Sequence, residues 1–198
     1  MGVGTAAVCD ALVSVGTAPR VVLLGCTLPD ARANGPALPV AHTGSLEDFF
    51  LAIGQAPRGA VLVVDNEGRD GEACIGDQVA LEAELAGLAG IVIWGRHRDT
   101  EVLRQLEIPV WSLGAFPAGP IDMRTRADDT VRLAGFEVAP GDHVVADADG
   151  VVLLPRAGAQ AILGAASEIE QREREQAARA REGVTIRDQL HLAEYFER

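Results

Sequence analysis

The sequence predicts a mixed α/β layered domain rather than a purely parallel, doubly wound sheet. Short apolar runs rich in β-branched residues are typical of buried strands. Strand and helix patterns alternate up to about residue 113, which favours parallel pairing. Three closely spaced strand patterns follow, separated by turn residues, and these favour hairpins.

The first half of the chain alternates between strand and helix patterns. Four runs are predicted as strands: Val21–Gly25, Ala60–Asp65, Gly90–Trp94 and Pro109–Leu113. A helix is expected to open at Ser45, an N-cap residue with Asp48 three positions later in a variant capping box. Two further helices are predicted over Gly76–Ala89 and Asp99–Leu106.

The second half begins with strands and ends with a long helix. The predicted strands are Val131–Val138, His143–Ala146 and Val151–Leu154, with turns at residues 139–142 and 148–150. Ala157–Glu182 is predicted as one helix that Gly183 terminates, and Ile186–Phe196 as a short final helix.

Glu173 falls on the apolar stripe of that long helix, at 100° per residue. The other members of the stripe are Ile162, Ala166, Ile169 and Ala180. The carboxylate is either a break in a docking face or a functional group aimed at something that the stripe alone does not identify.

Charge and composition exclude several classes of function. The net charge is −12 and the pI is about 4.7, which argues against binding to nucleic acid or to an anionic membrane surface. All 17 basic residues are Arg. Without lysine, the chain cannot use Schiff-base or pyridoxal phosphate chemistry, nor a Walker phosphate loop.

Three widely spaced cysteines indicate neither a disulfide framework nor a zinc ribbon. The amino terminus lacks the basic region of a secretory signal, and no apolar run approaches the roughly 20 residues that span a bilayer. We therefore expect a protein of the reducing cytoplasm.

The first candidate loop runs from Asp65 to Glu72 and leads to Asp77 at a predicted helix start. In parallel sheets, ligands bind beyond the carboxyl ends of strands. The amides of Gln78, Val79 and Ala80 are expected to be free donors that suit a carboxylate or phosphate. Alternatively, Asp77 is an ordinary acid that complements the helix dipole.

The second candidate loop is residues 95–99, between a strand and a helix. Arg98 can hold an oxyanion, and Asp99 can ligate Mg²⁺ or Mn²⁺, which need only one or two carboxylates. Alternatively, Asp99 is a helix N-cap and Arg98 a solvated cation. His97 is interpreted as a loop or packing residue, although a nucleophilic pair with Cys74 stays open.

The two loops together resemble a known family. Asp77 is followed by twenty residues and then by Arg98-Asp99. This spacing is similar to the D-X20-R-D motif of class II pyruvate aldolases of the HMG/CHA type, which share a family with the RraA-like proteins (regulators of ribonuclease activity A). Further matches occur at Val8–Leu12, Ile75–Asp77, Gly90–Gly95, Ile108–Val110 and Pro140–Val151, so that the resemblance covers about residues 5–155.

The resemblance implies a ββα-layered swivelling domain over residues 1–155. Residues 156–198 would form a helical extension that packs on the same or a neighbouring subunit. It also implies a homotrimer or a hexamer, with active sites at the subunit interfaces.

The resemblance further implies a role for each site residue. Asp99 would ligate Mg²⁺ or Mn²⁺ directly, and Asp77 would hold the metal through a water molecule. Arg98 would bind the pyruvyl oxygen and stabilise the enolate, while the substrate carboxylate would lie against the backbone of Gly76, Gln78 and Val79. A tail-helix glutamate from the neighbouring subunit would complete the site, and Glu173 is our candidate.

The activity expected from this resemblance is the cleavage of a 4-hydroxy-2-oxo acid, such as 4-hydroxy-4-methyl-2-oxoglutarate, to pyruvate. Oxaloacetate decarboxylation is expected as a side activity. The alternative is a non-catalytic, protein-binding regulator of the RraA kind, although such members tend to lack the complete motif. This chain departs from the aldolase pattern in its acidic loop at residues 66–72, and it has Val102 where many members have an acid.

Overall fold

The computed structural model describes residues 2–121, 123 and 130–190. These residues form twelve strands and six helices. The strands are β1 (Arg20–Val22), β2 (Gly25–Cys26), β3 (Ala33–Ala41), β4 (Val61–Asp65), β5 (Ala73–Ile75), β6 (Gly90–Trp94), β7 (Arg96–His97), β8 (Val110–Ser112), β9 (Arg132–Leu133), β10 (Phe136–Glu137), β11 (His143–Asp147) and β12 (Gly150–Leu154). The helices are α1 (Thr5–Ser14), α2 (Glu47–Ile53), α3 (Asp77–Leu85), α4 (Thr100–Leu103), α5 (Ala159–Arg181) and α6 (Ile186–Gln189).

The main sheet has eight strands in the order β1-β12-β11-β3-β4-β6-β8-β2. Strands β3, β4, β6 and β8 pair in parallel, while β11, β12 and the two outermost strands pair antiparallel. The segment 20–26 contributes both outermost strands, β1 and β2. The sheet is therefore strongly curled, because its two edges are formed by neighbouring residues of one segment. The mixed α/β fold class predicted from the sequence is confirmed.

Alternating residues on each central strand serve two different apolar clusters, as the twofold repeat of a strand requires. On β4, Leu62 and Val64 face a cluster beneath helices α2, α3 and α4. Val61 and Val63 face the inside of the curled sheet, where Trp111 is fully buried. This arrangement explains why β4 is apolar throughout rather than alternating with polar residues.

Helices α1 and α5 cover the antiparallel part of the sheet. Ala7, Val8 and Ala11 on α1 pack with Ala159 and Ala166 on α5. Two acids distant in sequence fix the start of α1. Asp147 accepts hydrogen bonds from the Thr5 amide (2.8 Å) and hydroxyl (2.7 Å), and Glu170 accepts from the Gly4 amide (2.6 Å). The first half of the long helix therefore packs against its own chain.

Several predicted boundaries differ from the structure. The predicted strand over Val21–Gly25 is divided into β1 and β2, and the run over Val131–Val138 forms the hairpin of β9 and β10. Helix α2 begins at Glu47 rather than at the Ser45 cap. The Ser45 hydroxyl does accept a hydrogen bond from the Glu47 amide (3.1 Å), but Asp48 instead accepts from Thr43.

The long helix and its termination agree with the prediction to within two residues. Gly183 has a φ of 102°, the left-handed conformation that lets a chain leave a helix. The predicted final helix over Ile186–Phe196 is described only as far as Gln189, and the remainder lies outside the described residues.

Candidate functional site

Two very short strands bring the candidate loops together. Strands β5 and β7 pair in parallel as a separate ribbon, with Ala73 opposite Arg96 and Ile75 opposite His97. The Arg98 amide extends this pairing by donating to the Ile75 carbonyl (2.9 Å). Helix α3 begins two residues after β5, and helix α4 begins three residues after β7. The starts of both helices therefore lie side by side.

Asp77 and Asp99 meet at this point. The Asp77 amide donates a hydrogen bond to Oδ2 of Asp99 (3.3 Å), although the residues are 22 positions apart in the sequence. Gly76 allows the contact, because a Cβ atom at this position would lie 2.3 Å from the same carboxylate oxygen. The start of α3 and the residue that precedes α4 are therefore in direct contact.

The backbone of Asp99 adopts the left-handed conformation, with φ 58° and ψ 37°. This conformation is uncommon for residues other than glycine, and it often marks functional sites. Its side chain is 34% exposed, and Oδ2 also lies 3.3 Å from Nε of Arg98. Asp99 occupies the N-cap position of α4, as one alternative predicted. Its side chain, however, makes no cap hydrogen bond within that helix.

The amides at the start of α3 are only partly free. The Gln78 amide donates to Oδ1 of Asp77 (2.7 Å), and the Ala80 amide donates to the Gly76 carbonyl (3.2 Å). The prediction that Ala80 offers a free donor is therefore wrong, because Gly76 closes a helical turn with it. The Val79 amide has no acceptor among the described residues.

Arg98 supplies a positive charge beside the carboxylate of Asp99. Its side chain is 45% exposed, and Nε is the guanidinium nitrogen that faces Asp99. A Cβ atom on Gly119 would lie 3.0 Å from one terminal nitrogen of Arg98, so the guanidinium also packs closely against residue 119. The terminal nitrogens make no hydrogen bond to a residue in the described ranges and are therefore available to an anion.

His97 is a buried residue with two hydroxyl partners, a more specific arrangement than the sequence indicated. Its Nδ1 lies 2.7 Å from Oγ of Ser112, and its Nε2 lies 3.0 Å from Oγ1 of Thr100. Burial, and secondarily the charge of Arg104, lowers the pKa of this imidazole. Because the hydroxyls occupy both ring nitrogens, the alternative pairing of His97 with Cys74 is wrong. The Cys74 thiol instead faces the Arg96 carbonyl.

A cavity of about 310 Å³ opens next to this cluster. Its polar side is formed by Arg98, Asp99 and Thr100, and its apolar side by residues 115–117. Glu173 does not line this cavity. It is an exposed residue of α5 beside a different cavity of about 570 Å³, near Gly2, Val3 and Arg32. Within one chain, the structure therefore brings together Asp77, Arg98 and Asp99, but not Glu173.

The donor set fits a hard divalent cation with few protein ligands. Within residues 2–121, 123 and 130–190, no three His, Cys, Asp or Glu side chains form a group that could hold a metal. Mg²⁺ commonly binds one or two carboxylates and takes its other ligands from water and substrate. The partly exposed carboxylate of Asp99, which lies against the backbone of Asp77, is compatible with binding of this kind.

None of the helices in the described part of the chain is long and apolar enough to cross a membrane.

Comparison with known proteins identifies relatives of the chain. It is 39% identical over 98 residues to the 4-hydroxy-4-methyl-2-oxoglutarate aldolase of Thermus thermophilus, which covers 49% of this chain and 60% of that protein. It is 36% identical over 105 residues to a putative aldolase of the same name from Hahella chejuensis, covering 52% and 63%. The chain thus spans less than two thirds of the length of these curated relatives.

Solved structures match over a larger share of the chain. The RraAS2 protein of Streptomyces coelicolor, described as an unusual member of the RNase ES inhibitor RraA family, is 31% identical with a TM-score of 0.76. That match covers 88% of this chain and 91% of the other. An uncharacterised protein from Pseudomonas syringae is 28% identical with a TM-score of 0.80, covering 91% and 89%.

The profile of the RraA-like family, Aldolase/RraA, matches residues 5–153. This range includes the β5–β7 ribbon, Asp77, Arg98 and Asp99, and it ends just before the long helix. The chain therefore belongs to the RraA-like family.

Proposed function

We propose that this protein is a divalent-metal-dependent lyase. Its substrate would be a 4-hydroxy-2-oxo acid of the 4-hydroxy-4-methyl-2-oxoglutarate type, and the products would be pyruvate and a second oxo compound. The observation that carries the proposal is the contact between Asp77 and Asp99 beside the available guanidinium of Arg98. The aldolase names of relatives 36% and 39% identical support the same reaction.

Asp99 would hold Mg²⁺ or Mn²⁺ directly and Asp77 would hold it through water. When bound, the ion supplies positive charge that stabilises the charge developing on the substrate. The reaction removes the proton from the 4-hydroxyl, breaks the bond between C3 and C4, and returns a proton to C3. A lysine-free chain cannot carry this out through an iminium, so the charge must be stabilised in another way.

The chain's own residues would bind and orient the substrate. Arg98 would place a fixed positive charge against the 2-oxo oxygen, where negative charge develops. The backbone at Gly76, Gln78 and Val79 would face the substrate carboxylate at the start of α3. The Val79 amide fits this role best, because the Gln78 amide already donates to Asp77. Asp77, with Glu173 from a neighbouring subunit, would orient the water that carries protons.

The direct test is pyruvate release by the purified full chain, measured with a lactate dehydrogenase coupled assay. The substrates are 4-hydroxy-4-methyl-2-oxoglutarate and oxaloacetate, with Mg²⁺, Mn²⁺ or EDTA, and spontaneous oxaloacetate decay is subtracted. We expect turnover of both substrates that EDTA abolishes and Mg²⁺ restores. Absence of turnover with both substrates and close relatives would overturn the proposal.

The matched variants are Asp99→Ala and Asp10→Ala. Asp99→Ala removes the direct metal ligand, and we expect kcat/KM to fall by at least about 100-fold, the scale of losing a group that stabilises transition-state charge. Asp10 is an exposed acid on α1 that does not line the cavity at Arg98, and its variant should keep full activity. Full activity of Asp99→Ala would contradict its assigned role.

A second candidate function is protein binding of the RraA kind. The match to RraAS2 over 88% of this chain favours it, because that comparison includes more of the chain than the aldolase matches do. A stoichiometric protein partner recovered with the full chain, together with no divalent-metal binding by calorimetry, would support this function over the lyase.

A further inference from the structure

His97 connects two elements that border the cavity beside Arg98. The residue is 6% exposed, and its backbone amide donates to the Gly114 carbonyl (3.1 Å) while its carbonyl accepts from the Phe116 amide (2.8 Å). These bonds hold the apolar wall at residues 115–117. The imidazole meanwhile bonds to Thr100 on the polar side. His97 is therefore bonded to both the apolar and the polar side of the cavity, and it sets the distance between them.

The hydrogen-bond network fixes which ring nitrogen carries the proton. Oγ of Ser112 already accepts a hydrogen bond from the Gly114 amide (3.0 Å), and Ser112 is 1% exposed. Its own hydrogen finds an acceptor in Nδ1 of His97. The reverse assignment would leave that buried hydrogen without an acceptor among the described residues, which is costly. Nδ1 is therefore the acceptor, and Nε2 carries the hydrogen.

This tautomer determines how the Thr100 hydroxyl takes part in hydrogen bonding. Its Oγ1 accepts the hydrogen bond from Nε2 of His97 (3.0 Å), so its own hydrogen is not used in that contact. No other described residue accepts from this hydroxyl. Thr100 is half-buried and lines the cavity next to Arg98 and Asp99. Its hydroxyl is thus a donor at the border of the cavity, with no protein acceptor in the described part of the chain.

We propose that the Thr100 hydroxyl donates a hydrogen bond to an oxygen on the distal part of the 2-oxo acid, the part that leaves as the second oxo compound. His97 is a positioning residue that acts through Thr100. The inference rests on the proposed function. The residues proposed to face the substrate carboxylate, Gly76, Gln78 and Val79, are not among those that line this cavity, which leaves it to the rest of the molecule.

The proposal predicts selectivity between 2-oxo acids that differ in their distal end. Pyruvate has no distal oxygen, so its binding should not depend on Thr100. 2-Oxoglutarate has a distal carboxylate that can accept the hydrogen bond, and it lacks the 4-hydroxyl needed for cleavage. It is therefore a suitable binding probe that does not require turnover.

The test measures both probes by calorimetry with Mg²⁺ present, on the full-length wild type, Thr100→Val and Thr100→Ser. Thr100→Val keeps the shape and removes the donor, so we expect 2-oxoglutarate affinity to fall about 10- to 100-fold while pyruvate affinity stays unchanged. Thr100→Ser should restore 2-oxoglutarate binding. Equal affinity of the wild type and Thr100→Val for 2-oxoglutarate, with normal pyruvate binding, overturns the inference but leaves the lyase proposal standing.

The two proposals fail in different ways. If the wild type binds neither pyruvate nor 2-oxoglutarate in the presence of Mg²⁺, the proposal of a 2-oxo acid site is wrong. The proposed role of Thr100 is then wrong as well. If both bind and only the 2-oxoglutarate affinity responds to Thr100→Val, both proposals are supported.

The positioning role of His97 has its own readout. Nitrogen-15 NMR of the labelled imidazole at fixed pH should show a hydrogen on Nε2, and a hydrogen on Nδ1 would contradict the assignment. His97→Gln should weaken 2-oxoglutarate binding but not pyruvate binding. Because His97 acts through Thr100, the double variant with Thr100→Val should be no weaker than Thr100→Val alone. Additive losses would overturn this role, and if His97→Gln fails to fold, the NMR assignment decides.

Discussion

Gly76 shows how one missing side chain can define a site. Its Cβ position lies 2.3 Å from Oδ2 of Asp99 and 3.1 Å from both Cγ and Nε of Arg98. Any side chain here would displace the two residues that the proposed chemistry depends on most. Its φ of −133° is ordinary, so the requirement for glycine is one of space and not of backbone conformation.

We predict that Gly76→Ala weakens Mg²⁺ binding, measured by calorimetry, about 10- to 100-fold, the scale seen when the support of a metal ligand is lost. Gly71→Ala is the matched control, because a Cβ atom at position 71 meets nothing within 4 Å. Unchanged Mg²⁺ affinity in Gly76→Ala would show that Asp99 does not hold the ion in this geometry.

Asp147 joins β11 to the start of helix α1. Burial by itself would raise the pKa of this carboxyl, but hydrogen bonds from the Thr5 amide and hydroxyl and from the Asp149 amide outweigh it and lower the pKa. A group whose pKa is lower in the folded state stabilises the fold above its unfolded pKa. That stabilisation is lost as the pH falls through the folded value.

We therefore predict that Asp147→Asn lowers the free energy of unfolding by about 2 kcal/mol at neutral pH. The difference from wild type should shrink as the pH falls below the ordinary pKa of an aspartate, because the wild-type carboxyl then becomes neutral as well. Urea unfolding across this pH range measures both effects. Asp149→Asn is the control, since its carboxylate is exposed, and an equal loss in the control would refute the assignment.

Two glycines near the start of the long helix should respond to alanine with opposite signs. Gly164 lies inside α5 with nothing within 4 Å of its Cβ position, so Gly164→Ala should raise the free energy of unfolding by about 0.5–1 kcal/mol. Gly158, the N-cap, has a φ of 88°, which is strained for alanine, so Gly158→Ala should lower the free energy of unfolding. Thermal unfolding of both variants tests this pair, and a shift of the same sign in both would be contrary to expectation.

The elements that could be predicted from sequence are those whose pattern is long enough to read. Strands β4 and β6 and helix α5 each carry a clear run, and the prediction placed them to within two residues. Strand β3 was not predicted, because Pro36 and Pro39 interrupt its pattern, although it lies in the middle of the sheet. The ribbon strands β5 and β7 have three and two residues, too few to show any periodicity.

The sequence predicts only the part of the candidate site that a local motif contains. The motif spacing indicates Asp77, Arg98 and Asp99 as candidate site residues, and the rule that ligands bind beyond the carboxyl ends of parallel strands favours the first of the two loops. The proposed role of Thr100 could not be predicted, because it depends on Ser112 in a distant strand and on the tautomer of a buried imidazole. No local pattern in the sequence contains that information.

At the scale of the whole molecule, the position of Glu173 bears on assembly. The residue lies beside the amino terminus of its own chain, and it does not line the cavity at Arg98. If Glu173 completes the site, it must come from another copy, in agreement with the homotrimer or hexamer that the family resemblance implies. Light scattering of the full chain measures the assembly directly.

We predict that Asp99→Ala and Glu173→Ala subunits complement each other. Each variant alone should have little pyruvate-releasing activity, whereas oligomers mixed by dissociation and reassociation should recover part of it. Such oligomers contain interfaces where an intact Asp99 meets an intact Glu173. Mixed oligomers no more active than the separate variants, or a fully active Glu173→Ala variant, would remove Glu173 from the site.

The curl of the main sheet has a consequence for how copies of the chain can associate. Its outermost strands have only three and two residues, and both lie in the segment 20–26. An open border with a long row of unpaired backbone groups invites a foreign strand to add to it and so templates fibrils. In the described part of the chain this sheet offers almost no such row, so the proposed assembly would use side chains on helices and loops rather than strand addition.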